Sequence, residues 1–567
     1  MPDLKSRLDP KNLKRDAVAG TVLGIESVPD GLASGLLAGV NPLAGLYGYL
    51  YGTLGGSFFT SSSFMAVQAT GAMAIIVADA GLDSFENPAT ALYTLTILTG
   101  IVMAVAGLLR LGFVLRFVSN AVMTGFITAV GINIILGQMG DLTAYDADGS
   151  NRVSRAIDTV LNFTQIDGAA LTVGIVTIVL ILVLQQTRLG GLGMVVAIAI
   201  GSALAAVFTH FGANVQVLGD VADVPNALPL PVLPSLDGIF ELLVPAIALA
   251  FVGLVQGAGV SAGFPNPDGR PADLDRDFIG QGAGNILAGF FRGMPVGGSM
   301  SASSLVVSAG ARTRVSLMMA AGVMAVVILL FANVVALVAM PALAGLLITV
   351  GAMTIKPAKI ETVVKTGPIQ AVVFLATLVL TLFIPLQWAV LAGVALSAVL
   401  FILRQSERIS IRRLLVDDEG GVSEVDPPTQ VPASEVLAIQ PYGSLFFAAA
   451  SSFEERLPAV DDASKGSVVI LRMRGKDEVG STLIEVLKRY AKALAAVDSR
   501  LVLVTDSKTV LLQLERTGAT DVIGEDNIYR GNEVLGRAFK RAYADAQAWV
   551  DAQPPSDKAA AGSDGDG

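Results

Sequence analysis

Residues 293–314, with the sequence GMPVGGSMSASSLVVSAGARTR, are polar and broken although they lie between long apolar runs. Glycine and proline interrupt the first half of this segment, and Ser299, Ser301, Ser303 and Ser304 follow. At membrane depth, interrupted backbone is tolerated only where it is buried in protein or lines a cavity. Such segments often form the substrate site of a transporter, because the first N–H groups of a short helix point at the ligand. The alternative is that small residues here only let two helices pack closely.

Composition indicates that most of the chain is surrounded by lipid. Of the 567 residues, 53% are hydrophobic and 15% are charged, against roughly 25% charged in ordinary soluble domains, and the mean hydropathy is +0.66. There is no cysteine and one histidine, which excludes disulfides and histidine or thiolate metal clusters. With no nucleophile–base pair and no phosphate-binding loop, we expect a transporter rather than an enzyme, with no cofactor and no nucleic-acid partner.

Apolar runs of roughly 17 to 25 residues, the length that crosses a bilayer, recur along residues 16–405. Clear runs and weaker runs together predict about fourteen spans in an α-helical polytopic membrane protein. The clear runs cover 16–38, 42–60, 90–109, 117–138, 168–186, 190–210, 238–262, 314–337, 366–384 and 387–403, and the weaker runs cover 64–79, 277–293, 299–311 and 339–355.

The distribution of Lys and Arg supports this count, because basic residues accumulate on cytoplasmic loops. With the N-terminal segment 1–15 in the cytoplasm, the predicted external loops hold only Arg152, Arg155 and Arg292. Two sets of seven spans then enter the membrane from opposite sides, which predicts an inverted repeat. This arrangement pairs the third span with the tenth, and each is the interrupted span of its half. The prediction is a multi-pass protein of the cell membrane with a cytoplasmic C-terminal domain.

Beyond the spans, the sequence changes to that of a soluble domain. Residues 406–434 are polar and carry prolines, so they are predicted to be a linker. Residues 435–552 predict a small α/β domain, because β-rich runs alternate with helical periodicity. The β-rich runs are 436–440, 467–473 and 501–505, and the helical segments are 480–497, 508–517 and 531–549. Residues 553–567 are of low complexity and are predicted to be disordered.

Several motifs, in their order along the chain, resemble the sulfate permease (SulP) family of anion transporters. The motifs are Pro29, LAGVNPLAGLYG, SSSFMAVQATGAMAIIVA, RDFIGQGAGNILAGFFRGMPVGGS and AGARTR. The C-terminal domain resembles the STAS domain that this family carries. The resemblance implies two inverted seven-span repeats divided into a core and a gate, elevator-type alternating access and a homodimer. It also implies a small inorganic anion, such as sulfate or bicarbonate, held between the third and tenth spans.

The sequence departs from the family at positions where charge is expected. Phe64 follows two serines where many members have arginine, and Gln256 replaces a carboxylate of the eighth span. Gln68-Ala69 stand in place of glycine-proline, and Ala302 stands in place of an arginine. The residues predicted to contact the substrate are Gln68, Ala69, Thr70, Gly71, Gln256, Gly298, Ser299, Met300, Ser301 and Ala302. The two neutral amides leave open a nucleobase carrier of the same fold, and the missing carboxylate leaves open a passive exchanger or channel.

The first span carries two carboxylates, Glu26 and Asp30, four residues apart and therefore on one helix face. A carboxylate within a membrane segment costs on the order of 3 kcal/mol by insertion scales, so such residues usually mark an ion or proton path. We expect cation coupling to have moved from the eighth span to Glu26, Asp30 or both, with Na⁺ or H⁺ as the coupling ion. The alternative is that Asp30 is solvated at the membrane edge while Glu26 pairs with a polar neighbour.

Further polar residues have both a functional and a structural interpretation. Arg312 is a candidate anion clamp, although its place beside Arg314 fits the cytoplasmic accumulation of basic residues. His210 is either a proton sensor or an inert interfacial residue. Related soluble STAS domains are phosphorylated on a serine in the loop that holds Ser481 and Thr482, although either residue could instead cap the helix that follows.

Overall fold

The computed structural model describes residues 10–385 except 114–118, 150, 188 and 236–237, and residues 409–553 except 418–420, 444, 446–448 and 532–535. Between these ranges it describes only residues 388, 389, 392, 395, 396, 399 and 400. The chain divides into two units, Met1–Ser397 and Ala398–Gly567, and each is described by itself.

The first unit is helical apart from two short strands. In chain order its elements are α1 (Pro10–Leu37), α2 (Pro42–Phe59), β1 (Ala66–Gln68), α3 (Gly71–Ala78), α4 (Pro88–Leu108), α5 (Asn120–Gly137), α6 (Met139–Thr143), α7 (Arg152–Leu161), α8 (Gly168–Leu184), α9 (Leu192–His210), α10 (Leu218–Val221), α11 (Ile239–Gly263), α12 (Leu274–Phe290), β2 (Gly297–Ser299), α13 (Met300–Ser308), α14 (Val315–Ala336), α15 (Met340–Thr354), α16 (Pro357–Thr366) and α17 (Pro368–Phe383). Each predicted span up to 366–384 contains one of these helices. The last predicted span, 387–403, lies mostly outside the described residues.

Among the described residues, six helical segments are both long and apolar enough to cross a membrane. The total of about fourteen spans therefore stays a prediction. The structure also differs from the sequence analysis at the N-terminus, because α1 begins at Pro10 within the segment predicted to precede the first span.

Asn-Pro pairs begin two of the helices. The side chain of Asn41 accepts a hydrogen bond from the backbone N–H of Leu43 at 3.0 Å, and Pro42 occupies the first helical position of α2. Asn87 and Pro88 begin α4 in the same way. An asparagine cap accepts a hydrogen bond from an N–H that has no intrahelical partner. Proline lacks an N–H, but at the first helical position this costs no hydrogen bond within the helix. Local sequence thus fixes where these two helices start.

The helices of the first unit pack as two bundles. The first bundle contains α1, α2, α4, α11, α12 and α14, and the second contains α5, α8, α9, α15 and α17. Glycines allow the close approach: a methyl group at Gly45 would lie 2.0 Å from the carbonyl oxygen of Gly31, and one at Gly131 would lie 2.7 Å from that of Gly351. Each bundle takes helices from both halves of the chain, as a division into core and gate requires.

The two strands pair with each other across the first bundle. β1 and β2 are antiparallel, with Ala66 opposite Ser299 and Gln68 opposite Gly297, and all their residues are buried. We call this pair the ribbon. Helices α3 and α13 follow the two strands directly, so they leave opposite ends of the ribbon in opposite directions. The two interrupted segments are therefore in direct contact, and their equivalence in an inverted repeat stays a prediction.

Helices α11 and α12 hold the ribbon in place. Asn285 accepts a hydrogen bond from the N–H of Val296 at 2.9 Å and donates one to the carbonyl of Val296 at 2.6 Å. Gln281 accepts from the N–H of Gly298 at 2.9 Å. A methyl group at Gly298 would lie 2.5 Å from the Cα of Gly257, so only glycine fits where β2 crosses α11. Buried backbone groups need such partners, because an unpaired one costs about 1–3 kcal/mol.

The second unit is a mixed sheet with helices on its faces. Its elements are β3 (Ser410–Val416), β4 (Val422–Val425), β5 (Val436–Tyr442), α18 (Ala450–Arg456), β6 (Val468–Arg472), α19 (Ser481–Ala496), β7 (Arg500–Thr505), α20 (Lys508–Arg516), α21 (Ala519–Ile523), β8 (Ile528–Arg530) and α22 (Arg537–Asp551). The strand order is β4-β3-β5-β6-β7-β8, with β5 to β8 parallel. The three predicted β-rich runs and the predicted helices correspond to β5, β6, β7, α19, α20 and α22, although residues 532–535 of the last predicted helix lie outside the described residues.

The predicted linker, residues 406–434, needs correction because β3 and β4 lie within it. β3 pairs antiparallel with both β4 and β5. Its buried residues, Ile411 and Leu414, are three apart, with two half-exposed arginines between them. This spacing lacks the strict alternation that identifies a half-buried strand, so the sequence pattern did not reveal β3. The predicted disordered tail lies outside the described residues after residue 553.

Candidate substrate site

The ribbon brings the predicted site residues of the third, eighth and tenth spans together. Thr70 is the N-cap of α3, and its hydroxyl also donates to Gln256 Oε1 of α11 at 2.8 Å. Both side chains are partly exposed. The first N–H groups of α3, beginning at Gly71, have no partner within the helix. The Thr70 hydroxyl is committed to Gln256, so this corner offers amide and backbone N–H donors to a ligand.

The tenth segment presents a second set of donors. Ser299 is the N-cap of α13, and its hydroxyl lies 3.2 Å from that of Ser301. Ser301 and Met300 are exposed, whereas Ala302 is 3% exposed. Ala302 packs in an apolar cluster that includes Phe64, and its N–H is taken by Ser299. The side chain of Ala302 is thus a packing group, which separates it from the other predicted contacts.

Gln68 and Glu26 place two oxygen atoms without a protein partner in the interior beside the ribbon. Gln68 is fully buried, and its Nε2 donates to the hydroxyl of Ser27 at 2.8 Å. Among the described residues, neither Gln68 Oε1 nor Glu26 Oε2 has a hydrogen-bond partner. Buried polar oxygens are normally satisfied, so each of these two atoms is one that a bound cation, proton or water would satisfy. The structural alternative requires Glu26 to pair with a polar neighbour, and Glu26 Oε2 has no such partner among the described residues.

Asp30 is tied to the ribbon through a tyrosine that the sequence analysis did not single out. The hydroxyl oxygen of Tyr49 lies 2.7 Å from Asp30 Oδ2, 2.9 Å from the carbonyl oxygen of Ala69 and 3.1 Å from the hydroxyl of Ser34. Tyr49 is buried and Asp30 is partly exposed. One tyrosine thus connects the carboxylate of α1 with the residue that immediately precedes Thr70.

Polar residues at four-residue spacing on α12 form the frame of the site, and sequence reasoning missed them. Gln281 and Asn285 hold β2, as described above. Asp277 is fully buried and accepts hydrogen bonds from the N–H and hydroxyl groups of Ser61 and Ser62 and from the hydroxyl of Ser261, at 2.6–2.9 Å. The i, i+4, i+8 spacing of these three residues in an apolar segment is the signal that would have found them.

The basic residues near the tenth span lie in the loop between α13 and α14. Arg312 is exposed, and its backbone N–H donates to Asp16 Oδ1 at 2.6 Å. Arg314 is buried, and its guanidinium donates to the carbonyl oxygens of Ser57 and Thr60. The loop between α13 and α14 is therefore anchored by the side chain of Arg314 and by the backbone of residue 312, and a role of Arg312 as an anion clamp stays a prediction. His210 ends α9 as an exposed residue, and its ring meets Phe211 edge to face at 5.7 Å.

A separate polar cavity of about 970 Å³ opens on the face predicted to be external. The turn between α1 and α2, the end of α3 and the start of α7 line it. Arg152 of α7 forms an ion pair with Asp79 at the end of α3, at 2.8 Å. The predicted substrate contacts do not line this cavity. The ion pair instead joins α3, which follows the ribbon, to a helix that packs against α5.

In the second unit, Ser481 and Thr482 are the first residues of α19 and both are exposed. Gly480 is the N-cap, with no side-chain hydrogen bond, so the expectation that Ser481 or Thr482 caps the helix is wrong. A phosphate on either hydroxyl would lie at a helix N-terminus, which favours negative charge. Regulation at these two residues stays a prediction.

Comparison with known proteins agrees with this architecture. The model of the sulfate permease family matches residues 13–377, and the STAS domain model matches residues 429–533. A probable sulfate transporter of Mycobacterium tuberculosis is 24% identical over 540 residues, covering 93% of this chain and 96% of the relative. The bicarbonate transporter BicA of Picosynechococcus is 23% identical over 418 residues, covering 72% of this chain and 73% of the relative.

Two solved structures share the fold. The murine Slc26a9 anion transporter in the inward-facing state superimposes with a TM-score of 0.83 at 18% identity, covering 95% of this chain and 93% of that chain. The transmembrane domain of a cyanobacterial bicarbonate transporter, BicA, gives a TM-score of 0.59 at 22% identity, covering 69% of this chain and 98% of that chain. The family and these relatives are transporters rather than enzymes. Because the family model covers more than half of the chain, this protein belongs to the sulfate permease family and carries a C-terminal STAS domain.

Proposed function

We propose that the protein is a secondary active transporter of a small inorganic anion of the sulfate or bicarbonate class. The family match and the sulfate and bicarbonate transporters among the relatives support an anion as the substrate. The single structural observation that carries the proposal is the ribbon, because it joins the two segments that lead into the N-terminal ends of α3 and α13. Two helix N-termini with hydroxyl caps attract an anion without any basic side chain.

The proposed anion contacts are the hydroxyls of Ser299 and Ser301, the first N–H groups of α3 and α13, and the amide N–H groups of Gln256, which the Thr70 hydroxyl orients. Each helix end contributes up to about 2 kcal/mol when partly buried, and each neutral hydrogen bond contributes roughly 1 kcal/mol. These contributions must also offset the desolvation and immobilisation of the anion. We therefore expect weak binding, in the micromolar to millimolar range, or about −8 to −4 kcal/mol.

Cation coupling is assigned in this proposal to Glu26 and Asp30, with Na⁺ or H⁺ as the driving ion. Gln256 of α11 carries no charge, so α11 supplies no carboxylate at this position. The unpartnered Glu26 Oε2 and Gln68 Oε1 atoms support a cation or proton near the first span. A buried carboxylate without a counter-charge is costly unless it is neutralised.

The mechanism and assembly are proposed from the packing. The two bundles support elevator-type alternating access, in which the bundle that holds the ribbon moves against the other. We also propose a homodimer in the cell membrane with the N-terminus and the STAS domain in the cytoplasm, in line with the distribution of basic residues.

A nucleobase carrier is the second candidate, and one observation favours it. The hydrogen bond between Thr70 and Gln256 leaves the Nε2 donors of Gln256 without a protein acceptor among the described residues, and a neutral amide suits the edge of a uracil ring as well as an anion. A passive exchanger or channel with the same substrate site is the remaining alternative, and it differs only in the absence of coupling.

Uptake by proteoliposomes separates these candidates. Sulfate, bicarbonate and uracil are each offered with no cation gradient, with a Na⁺ gradient and with a pH gradient. The proposal expects accumulation of an anion against its gradient, driven by one cation, and loss of accumulation in Glu26→Gln, Asp30→Asn or the double variant. Uptake of uracil alone would establish the nucleobase carrier, and anion uptake that no cation gradient affects would establish the passive exchanger.

Thr70→Val tests the location of the site in the same assay. This variant removes the hydroxyl that caps α3 and bonds Gln256, so anion uptake should fall at least fivefold at low anion concentration, the value of one hydrogen bond. Thr99→Val is the control, because Thr99 is buried and its hydroxyl bonds only the Leu95 carbonyl of its own helix. Equal uptake by the two variants would place the anion elsewhere.

A further inference from the structure

The hydroxyl of Tyr49 has more acceptors around it than it has protons. It lies 2.7 Å from Asp30 Oδ2 and 2.9 Å from the carbonyl oxygen of Ala69. A carbonyl oxygen only accepts, an ionised carboxylate only accepts, and a phenol donates one proton. With Asp30 ionised, one of these two close oxygen–oxygen contacts must therefore lack a hydrogen. The third neighbour, the hydroxyl of Ser34 at 3.1 Å, can turn to donate or accept and does not remove the conflict.

A proton on Asp30 resolves the conflict. The carboxylic acid then donates to the Tyr49 oxygen, and the Tyr49 hydroxyl donates to the Ala69 carbonyl. Both short contacts then contain a hydrogen, and the hydroxyl of Ser34 can supply the second bond that the phenol oxygen accepts. The arrangement in this structure thus matches the protonated form of Asp30.

Among the described residues, the helices that make the main contacts with α1 provide no basic group to stabilise the ionised form of Asp30. The helices that pack against α1 are α2, α3, α9, α13, α14 and α15, and none of them contains Asp, Glu, Lys or Arg. Their only other titratable groups are Tyr47, Tyr49 and Tyr51 on α2 and His210 at the end of α9. On α1 itself, Glu26 lies one turn away, and the remaining charged residues lie in the first two turns. The nearest charge along the helix is therefore a second carboxylate, which disfavours ionisation of both.

We infer that Asp30 takes up the coupling proton. Tyr49 transmits the protonation of Asp30 to the substrate site, because its hydroxyl then donates a hydrogen bond to the Ala69 carbonyl. This inference rests on the proposed function and makes its coupling ion specific. Ala69 lies between the ribbon and the N-cap Thr70. When Asp30 is protonated, one negative charge near the ribbon disappears, and the Tyr49 hydroxyl is free to donate to the Ala69 carbonyl, which fixes the backbone that leads into Thr70. Proton uptake therefore favours anion binding, which is the thermodynamic requirement for symport.

The sign of the pH dependence follows from this order. Protonated Asp30 favours the anion, so affinity is high at low pH and falls as the pH rises through the titration of Asp30. Sulfate is the probe, because it keeps both of its charges between pH 5.5 and pH 8.5. The wild-type dissociation constant for sulfate should rise about fivefold or more across this range, the value of one hydrogen bond.

Two substitutions then shift the profile in opposite ways. Asp30→Asn keeps a donor toward Tyr49 and mimics the protonated acid, so it should bind sulfate at pH 8.5 within about twofold of its affinity at pH 5.5. Tyr49→Phe retains the ring but removes the connection, so it should bind weakly at both pH values, and sulfate accumulation driven by a pH gradient should disappear. Tyr51→Phe is the control on the same helix, since its ring stacks on Phe291 at 4.4 Å, and it should behave as the wild type does.

The outcomes separate this inference from the proposed function. Sulfate accumulation driven by Na⁺ and indifferent to pH would overturn the proton relay and leave the anion transporter standing. A wild-type pH profile in Tyr49→Phe would also overturn the relay. Absence of sulfate or bicarbonate exchange by the wild type under every condition would overturn the proposed function itself.

Discussion

Replacing Asn285 with leucine should destabilise the ribbon more than any single change at its surface. The asparagine amide is fully buried and makes two hydrogen bonds with the backbone of Val296, at 2.9 and 2.6 Å. Leucine has a similar volume, so the substitution leaves packing largely intact while the N–H and the carbonyl of Val296 lose their partners. Each unpaired buried group costs about 1–3 kcal/mol, which predicts a loss of about 2–6 kcal/mol.

The matched control is Asn133→Leu in the second bundle. Asn133 is also buried, but its amide makes one hydrogen bond, to the carbonyl of Thr381 at 3.0 Å, so one group is left unpaired and the expected loss is about 1–3 kcal/mol. The assay is the temperature at which each purified variant loses its monodisperse elution peak, together with its affinity for sulfate. Asn285→Leu should melt at a clearly lower temperature than Asn133→Leu and should lose sulfate binding before it unfolds. Equal melting temperatures for the two variants would refute the role assigned to Asn285.

The remaining predictions concern the close contacts, the external face and the second unit. Gly298→Ala should destabilise the protein by about 1–3 kcal/mol through overpacking. Gly322→Ala is the control, because its methyl group meets nothing within 4 Å, and it should be neutral or slightly stabilising. Equal melting temperatures for the two variants would contradict this prediction. Asp79→Asn removes the ion pair with Arg152 and should increase the labelling of a cysteine introduced by Ala38→Cys with a membrane-impermeant thiol reagent. The chain has no cysteine of its own, so all labelling comes from position 38. Unchanged labelling would show that the ion pair does not close the external face. Removal of residues 409–567 should leave sulfate binding within about twofold of the wild type, because every proposed contact lies in the first unit; a correctly inserted variant without binding would refute that assignment.

The overall architecture could be predicted from the sequence because its signals are strong and local. Long apolar runs, Asn-Pro helix starts and the Gly/Pro interruption at 294–298 each act within a few residues. The interrupted segments at 64–79 and 299–311 could be paired because each was the anomalous span of its half. The β-rich runs of the second unit could be predicted for the same reason, since buried parallel strands form short continuous apolar stretches.

The detailed chemistry of the site could not be predicted, because it depends on contacts between residues distant in the chain. Tyr49 is one of three tyrosines at alternate positions on α2, and only the structure shows that its hydroxyl meets Asp30 and Ala69. Position 302 faces an apolar cluster rather than the ligand, which spacing alone does not reveal. Strand β3 was missed because its buried residues are not at alternate positions. In each case tertiary packing decides what a local pattern leaves open.

Direct titration of the purified protein with sulfate, bicarbonate and uracil tests the central claim, which is that an anion binds at the ribbon between α3 and α13. We expect saturable binding of sulfate or bicarbonate in the micromolar to millimolar range. Thr70→Val should weaken the affinity at least fivefold, and Thr99→Val should leave it unchanged. Tight binding of uracil, with no response to either anion, would contradict it.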